Sequence, residues 1–190
     1  MSIVIVDSGG ANLRSIKNAF EKISNQAIVS IDENIISNAD YVILPGVGSA
    51  QMVMQSLISN NLVNVIKSLS QPVLGICVGM QILFNSSEEQ NCKCLGLIND
   101  NIKKFNLPKD KPVPHMGWNK VIFESEQLLS NYYYFANSYY APITKDTTSI
   151  CEYGIEFSAT VQKDNFFGCQ FHPEKSSNSG IKFIQNFLNY

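Results

Sequence analysis

Gly75-Ile76-Cys77-Val78-Gly79 sets a thiol between two glycines, after an apolar run and ahead of a helix-like one. This is the G-x-nucleophile-x-G elbow with Cys in place of Ser. Flanking glycines permit a tight strand-to-helix turn and a close backbone approach. Such a turn projects Sγ above the sheet edge, and a helix N-terminus behind it favours thiolate over thiol. The N–H of Val78 is then placed to supply half an oxyanion hole. A buried Cys in a glycine-rich turn fits the pentapeptide equally well. Phe171-His172-Pro173-Glu174 is the second signal. Along a strand, alternate side chains share a face, so Glu174 would orient the His172 imidazole and stabilise its cation. His172 would act as base toward Cys77. Pro173 lacks an N–H and suits a strand terminus or an edge. On its own the tripeptide also describes a surface His beside an acid. The only other histidine, His115, sits in a proline-flanked stretch with no carboxylate two residues away, and ranks well below His172 as the base. Leu44-Pro45-Gly46-Val47-Gly48-Ser49 is the third signal. It follows an apolar strand and precedes a helix, so it should reach the same sheet edge. Its backbone would complete the oxyanion hole beside Val78. It lacks the lysine of a phosphate loop, and an ordinary strand–helix turn is the plainer alternative.

The elements that must position these residues read as α/β. Apolar runs at 3–6, 27–31, 41–44 and 73–76 predict buried parallel strands, the third stopped by Pro45-Gly46. Leu13, Ile16, Phe20 and Ile23 recur at helical steps, as do Met52, Val53 and Leu57, and then Leu62, Val65, Ile66 and Leu69. Residues 78–84 also read as helix. The second half changes character. Short β-like runs at 121–123, 132–137, 150–152, 157–162 and 166–170 predict an antiparallel extension of the same sheet, and 181–188 a closing helix. Residues 99–111 are the most loop-like. The expected fold is therefore a mostly parallel central sheet with an antiparallel extension, flanked by helices.

Composition narrows the function. A length of 190 residues suits a single domain spanning 1–190. The charge balance, 14 basic against 16 acidic residues, gives no nucleic-acid footprint. No apolar run approaches the ~18–20 residues of a membrane span, and the opening MSIVIVD has no basic leader. The five cysteines are odd in number and irregularly spaced, which predicts reduced thiols in the cytoplasm rather than a disulfide framework. Cys92-x-Cys94 finds no second pair to make a metal site.

The three signals together resemble the class I, triad-type glutamine amidotransferases. Further segments occur in the family's order: Asn12-Leu13-Arg14-Ser15, Pro114-His115-Met116-Gly117-Trp118-Asn119, Ser138-Tyr139-Tyr140, and Phe167 through Ser176. With Gly75 through Gln81 they resemble the glutaminase subunits of imidazole glycerol phosphate synthases, over nearly the whole chain. The resemblance implies a class I glutamine amidotransferase-like three-layer fold and a Cys77–His172–Glu174 triad that hydrolyses L-glutamine through a γ-glutamyl thioester. It implies an oxyanion hole at Val47, Gly48 and Val78, and glutamine contacts at Gln81, Ser138 and Tyr139. No metal or organic cofactor is implied. The implied partner is a (β/α)₈-barrel cyclase subunit in a heterodimer. The barrel needs about 250 residues and must therefore be a separate chain. Asn12, Met116, Trp118, Tyr134 and Lys175 would lie at or near that interface. Two positions depart from the family: Asn137 stands where His is common, and Ser8 where Tyr is common. Asn cannot titrate near neutrality, so turnover or interface signalling should differ before the basic chemistry does. Glutaminases that serve sugar-amidating synthases, a silent interaction subunit with the same fold, and other cysteine hydrolases built on an elbow remain the alternatives. The intact triad speaks against silence, and the His-Pro-Glu segment with Gln81 against the other hydrolases.

Overall fold

A computed structural model describes residues 1–9, 12–24, 26–46, 48–123 and 131–190. β1 (Ile3–Val6) is buried at every position, as a strand covered on both faces must be. α1 (Leu13–Ser24) turns Ile16 and Phe20 inward. β2 (Ala27–Ser30) leads to α2 (Glu33–Ser37), a helix too short for its periodicity to show. Its signal was Asp32, whose carboxylate accepts from the N–H groups of Asn34 and Ile35 as an N-cap. β3 (Tyr41–Gly46), α3 (Ala50–Ser59), α4 (Leu62–Lys67) and β4 (Val73–Cys77) complete a parallel array in the order β2-β1-β3-β4. β3 does not stop at Pro45 but pairs on to Gly46 opposite Cys77. β1 pairs no further than Ile43, so Pro45 lies where β3 has a neighbour on one side only, a position that tolerates a missing N–H.

The helix expected over 78–84 is corrected to one turn, α5 (Val78–Gln81), followed by β5 (Phe84–Ser87). β6 (Cys92–Lys93) and β7 (Ile98–Lys104) follow, so residues 99–104 are strand rather than loop. Only Ile98 and Ile102 of β7 are buried, which is why its polar composition hid it. β8 (His115–Phe123) begins at His115, which lies in a strand and not in a loop. β9 (Asn131–Asn137), β10 (Tyr139–Tyr140), β11 (Thr147–Glu152), β12 (Glu156–Lys163), β13 (Phe166–Cys169) and α6 (Ser177–Phe187) complete the chain.

β13 joins the parallel array beside β4, and β12, β11, β8 and β9 continue antiparallel from it. Among the described residues this makes one nine-stranded mixed sheet, as the apolar runs predicted. A second sheet, in the order β10-β7-β5-β6, was not foreseen. α6 buries Phe183, Ile184 and Phe187 and packs against α1 and β9. Among the described residues no helix is long and apolar enough to cross a membrane.

Candidate active site

β4 ends on Cys77, whose backbone lies at φ 55°, ψ −110°. A non-glycine residue there costs roughly 1–3 kcal/mol and persists only where surrounding structure enforces it. The enforcement is packing. A Cβ on Gly79 would collide with the Leu44 carbonyl of β3, and one on Gly75 with the carbonyl of Gly79. The elbow is thus pressed onto its neighbouring strand, and Cys77 absorbs the turn. Because Gly46 is the register partner of Cys77, the 44–49 loop leaves the sheet beside the thiol. The Ser8 hydroxyl donates to the Pro45 carbonyl at 2.8 Å and anchors the loop's base. Gly48, at φ 88°, lines the same cavity as Cys77. Val47 lies outside the described residues.

His172 and Glu174 do not alternate along a strand as expected. The chain leaves β13 and folds into a short 3₁₀ turn, Pro173–Lys175, which curls Glu174 back under the imidazole. His172 Nδ1 and Glu174 Oε1 are 2.9 Å apart, and their side chains are 5% and 1% exposed. The turn is fastened to β9: the His172 N–H donates to the Tyr134 carbonyl at 2.8 Å. The Ser176 hydroxyl donates to the His172 carbonyl and accepts from the Tyr134 N–H. Asn12 donates its side-chain N–H to Glu174 Oε1 at 2.8 Å, a contact the sequence did not suggest. Burial pulls the His172 pKa down. Hydrogen bonds to Cys77 and Glu174, with the charges of both, outweigh burial and raise it to about 10. The imidazole is therefore held as a cation against the thiol. His115 is the reverse case. It stacks on Tyr153 at 3.9 Å and on Phe135 at 4.9 Å, and burial lowers its pKa to about 4.

A cavity of about 260 Å³ opens at Cys77. Gly48, Val78, Gln81, Glu89 and the 136–139 segment line it. Glu89 was missed in the sequence, where it lies in an unmarked polar stretch; its carboxylate also accepts the N–H of Ala50 at the start of α3, at 2.8 Å. Gln81 donates to the Tyr139 carbonyl at 3.0 Å and to Gln170 Oε1 at 2.9 Å. Gln170 in turn places its Nε2 3.7 Å from Cys77 Sγ. Asn137 is buried at the cavity wall and donates to the Tyr139 carbonyl. Its Oδ1 has no hydrogen-bond partner. The residues expected at an interface mostly gather elsewhere, on one face of β8 and β9. Met116 and Trp118 are exposed. Trp118 meets Tyr134 edge-on, and Lys175 Nζ lies 5.8 Å from the Tyr134 ring centre. Asn12 instead reaches inward to Glu174.

Residues 4–189 match the family model for class I glutamine amidotransferases. The imidazole glycerol phosphate synthase subunit HisH of Shewanella sediminis is 45% identical over 197 residues, covering 98% of this chain and 90% of that protein. HisH of Escherichia coli K12 is 44% identical over 198 residues, covering 99% of both. This chain belongs to the HisH family of class I glutamine amidotransferases. Solved structures carry the same fold at low identity. A glutamine amidotransferase superposes with a TM-score of 0.79 at 14% identity, covering 100% of this chain and 98% of that one. A GMP synthase subunit from Thermoplasma acidophilum gives 0.72 at 18%, covering 100% and 92%. Within the HisH family, the departures at Ser8 and Asn137 fall on the loop anchor and on the cavity wall, and neither is a member of the Cys77–His172–Glu174 group.

Proposed function

We propose that this HisH-family chain is the glutamine-hydrolysing subunit of an imidazole glycerol phosphate synthase, working as one glutaminase domain over residues 1–190 with Cys77, His172 and Glu174 as its catalytic triad. The observation that carries the triad is the 2.9 Å contact between Glu174 and His172, with the raised imidazole held against Cys77 at the elbow. The thiolate attacks the side-chain amide carbon of glutamine. The amide oxygen takes up the charge and is met by the Val78 N–H and by backbone of the 47–48 loop. His172 gives its proton to the departing nitrogen, and ammonia leaves a γ-glutamyl thioester. Water then attacks, His172 takes its proton, the carbon–sulfur bond breaks with its electrons on sulfur, and glutamate departs.

The cavity supports glutamine by its charges. Glu89 is an anion suited to the α-ammonium. Gln81 uses its N–H groups inside the protein, which leaves its carbonyl oxygen to face the same cation. Backbone at Ser138 and Tyr139 is assigned to the α-carboxylate. The partner is a (β/α)₈-barrel cyclase, forming a heterodimer over the face that carries Met116, Trp118, Tyr134 and Lys175, with Asn12 at its border. The cyclase uses the ammonia to make imidazole glycerol phosphate and an aminoimidazole carboxamide ribotide in the cytoplasm. The test is glutamate release from glutamine by the purified chain, alone and with a cyclase subunit carrying its substrate. A low basal rate that rises sharply on pairing is expected. No hydrolysis in a complex confirmed to form would overturn the reading.

A further inference from the structure

Gln170 is fully buried and belongs to none of the groups assigned above. The direction of its amide follows from a chain of hydrogen bonds that starts at the backbone. The Tyr139 carbonyl can only accept, so Gln81 must present its N–H groups there. The same Nε2 lies 2.9 Å from Gln170, which must answer with its carbonyl oxygen. That leaves the Gln170 Nε2 pointing the other way, 3.7 Å from Cys77 Sγ. We infer that Gln170 is a further catalytic residue, a fixed N–H donor to the Cys77 thiolate, and that Gln81 is the positioning residue that aims it.

The chemistry follows from the acceptor. A protonated thiol is a weak acceptor, whereas a hydrogen bond to an ionised group is roughly twice as strong as a neutral one. A buried amide aimed at sulfur therefore favours the thiolate. It contributes twice in the cycle. In the free site it holds the nucleophile ionised beside the His172 cation. When water attacks the thioester, it receives the sulfur as the carbon–sulfur bond breaks and its electrons return to sulfur. In the thioester itself the sulfur carries no charge and the contact is weaker. The amide is neutral, so it adds this preference without competing with His172 for a proton. The titratable groups around the sulfur are His172 and, behind it, Glu174 from the turn, Cys169 from β13, and Glu89 on the cavity wall.

The inference rests on the reading of Cys77 as the nucleophile, and the experiment separates the two. The rate of Cys77 alkylation by iodoacetamide is measured against pH in the full chain without glutamine, with the modified peptide identified by mass spectrometry. Three proteins are compared: the wild type, Gln170→Met, and Gln81→Glu, whose carboxylate would draw the Gln170 N–H away from the sulfur at unchanged shape. In variants with a wild-type circular dichroism spectrum, alkylation at neutral pH should fall about tenfold, with its midpoint about one pH unit higher. A wild-type profile in either folded variant overturns the role of Gln170. Should Gln170→Met fail to fold, Gln81→Glu decides alone. A wild-type chain in which Cys77 is not the preferred thiol overturns both the inference and the nucleophile beneath it.

Discussion

The two halves of the large sheet hold the two ends of one reaction, and they are built differently. The parallel half carries Cys77 on a strand buried at every position. Its glycines leave no room for a side chain, so the nucleophile is locked by sterics from one strand and its immediate neighbour. The antiparallel half carries the base indirectly. His172 lies beyond β13, in a turn tied by Tyr134 and Ser176 to the edge strand β9. That strand and β8 expose Met116, Trp118 and Tyr132 to solvent. The nucleophile is thus enclosed in the core, while the base is fastened to a surface that invites a partner. The chain's two histidines show the same division: one is held charged by its partners, the other held neutral between aromatic rings.

The contrast between the halves is tested most severely at the thiol. Cys77→Ala should lower glutamate release by at least about 10⁴-fold while ammonia-dependent synthesis by the cyclase persists. Loss of both in a still-associated complex would contradict the division of labour. Next, Glu174→Gln should cost on the order of 10²–10⁴-fold in kcat by disorienting His172. Asn12→Ala, which removes the other donor on Glu174, should cost about tenfold, in line with a charge-assisted hydrogen bond of about 1.5 kcal/mol. Steady-state kinetics on the paired enzyme reads both, and equal effects would show Asn12 to be as important as the carboxylate it holds. On the exposed face, Trp118→Ala should weaken cyclase binding by about 2 kcal/mol and leave basal glutamate release unchanged; a titration of the partner measures it.

The smallest effects lie in the pH dependence of stability, and their signs oppose. The folded chain holds His172 near 10 against an ordinary value of 6.5. Its contribution is complete below about pH 6.5 and is lost as pH rises toward 10. His115 is held near 4 against the same 6.5. The unfolded chain therefore binds the extra proton, and stability falls as pH drops from 6.5 toward 4. His115→Phe should keep the stacking and flatten the acid limb of a melting-temperature profile while leaving the alkaline limb in place. An unchanged acid limb would show that His115 does not set it.

What the sequence revealed depended on how local the cause was. The buried parallel strands and the cysteine elbow were legible because continuous apolar runs and paired glycines act over a few residues. The sheet containing β5 and β7 was not, because Ile98 and Ile102 are the only buried residues in a polar strand whose pairing is set by distant chain. The His-Pro-Glu segment was read with the right partners and the wrong geometry: a 3₁₀ turn, not strand alternation, brings the carboxylate to the ring. Glu89 and Gln170 carry no pattern of their own. Each acquires meaning only from what the fold sets beside it, a cavity in one case and a thiol in the other.

The close approach of Gly79 to the Leu44 carbonyl bears on how such chains should be recognised. Those glycines are held by steric exclusion between a turn and its neighbouring strand, a demand that exists whether or not a thiol stands between them. A lineage that lost the reaction would be free to change Cys77 long before it could change Gly75 or Gly79. A search that weights the glycines therefore finds a way of folding, and the residue between them has to be inspected separately before any member is credited with chemistry.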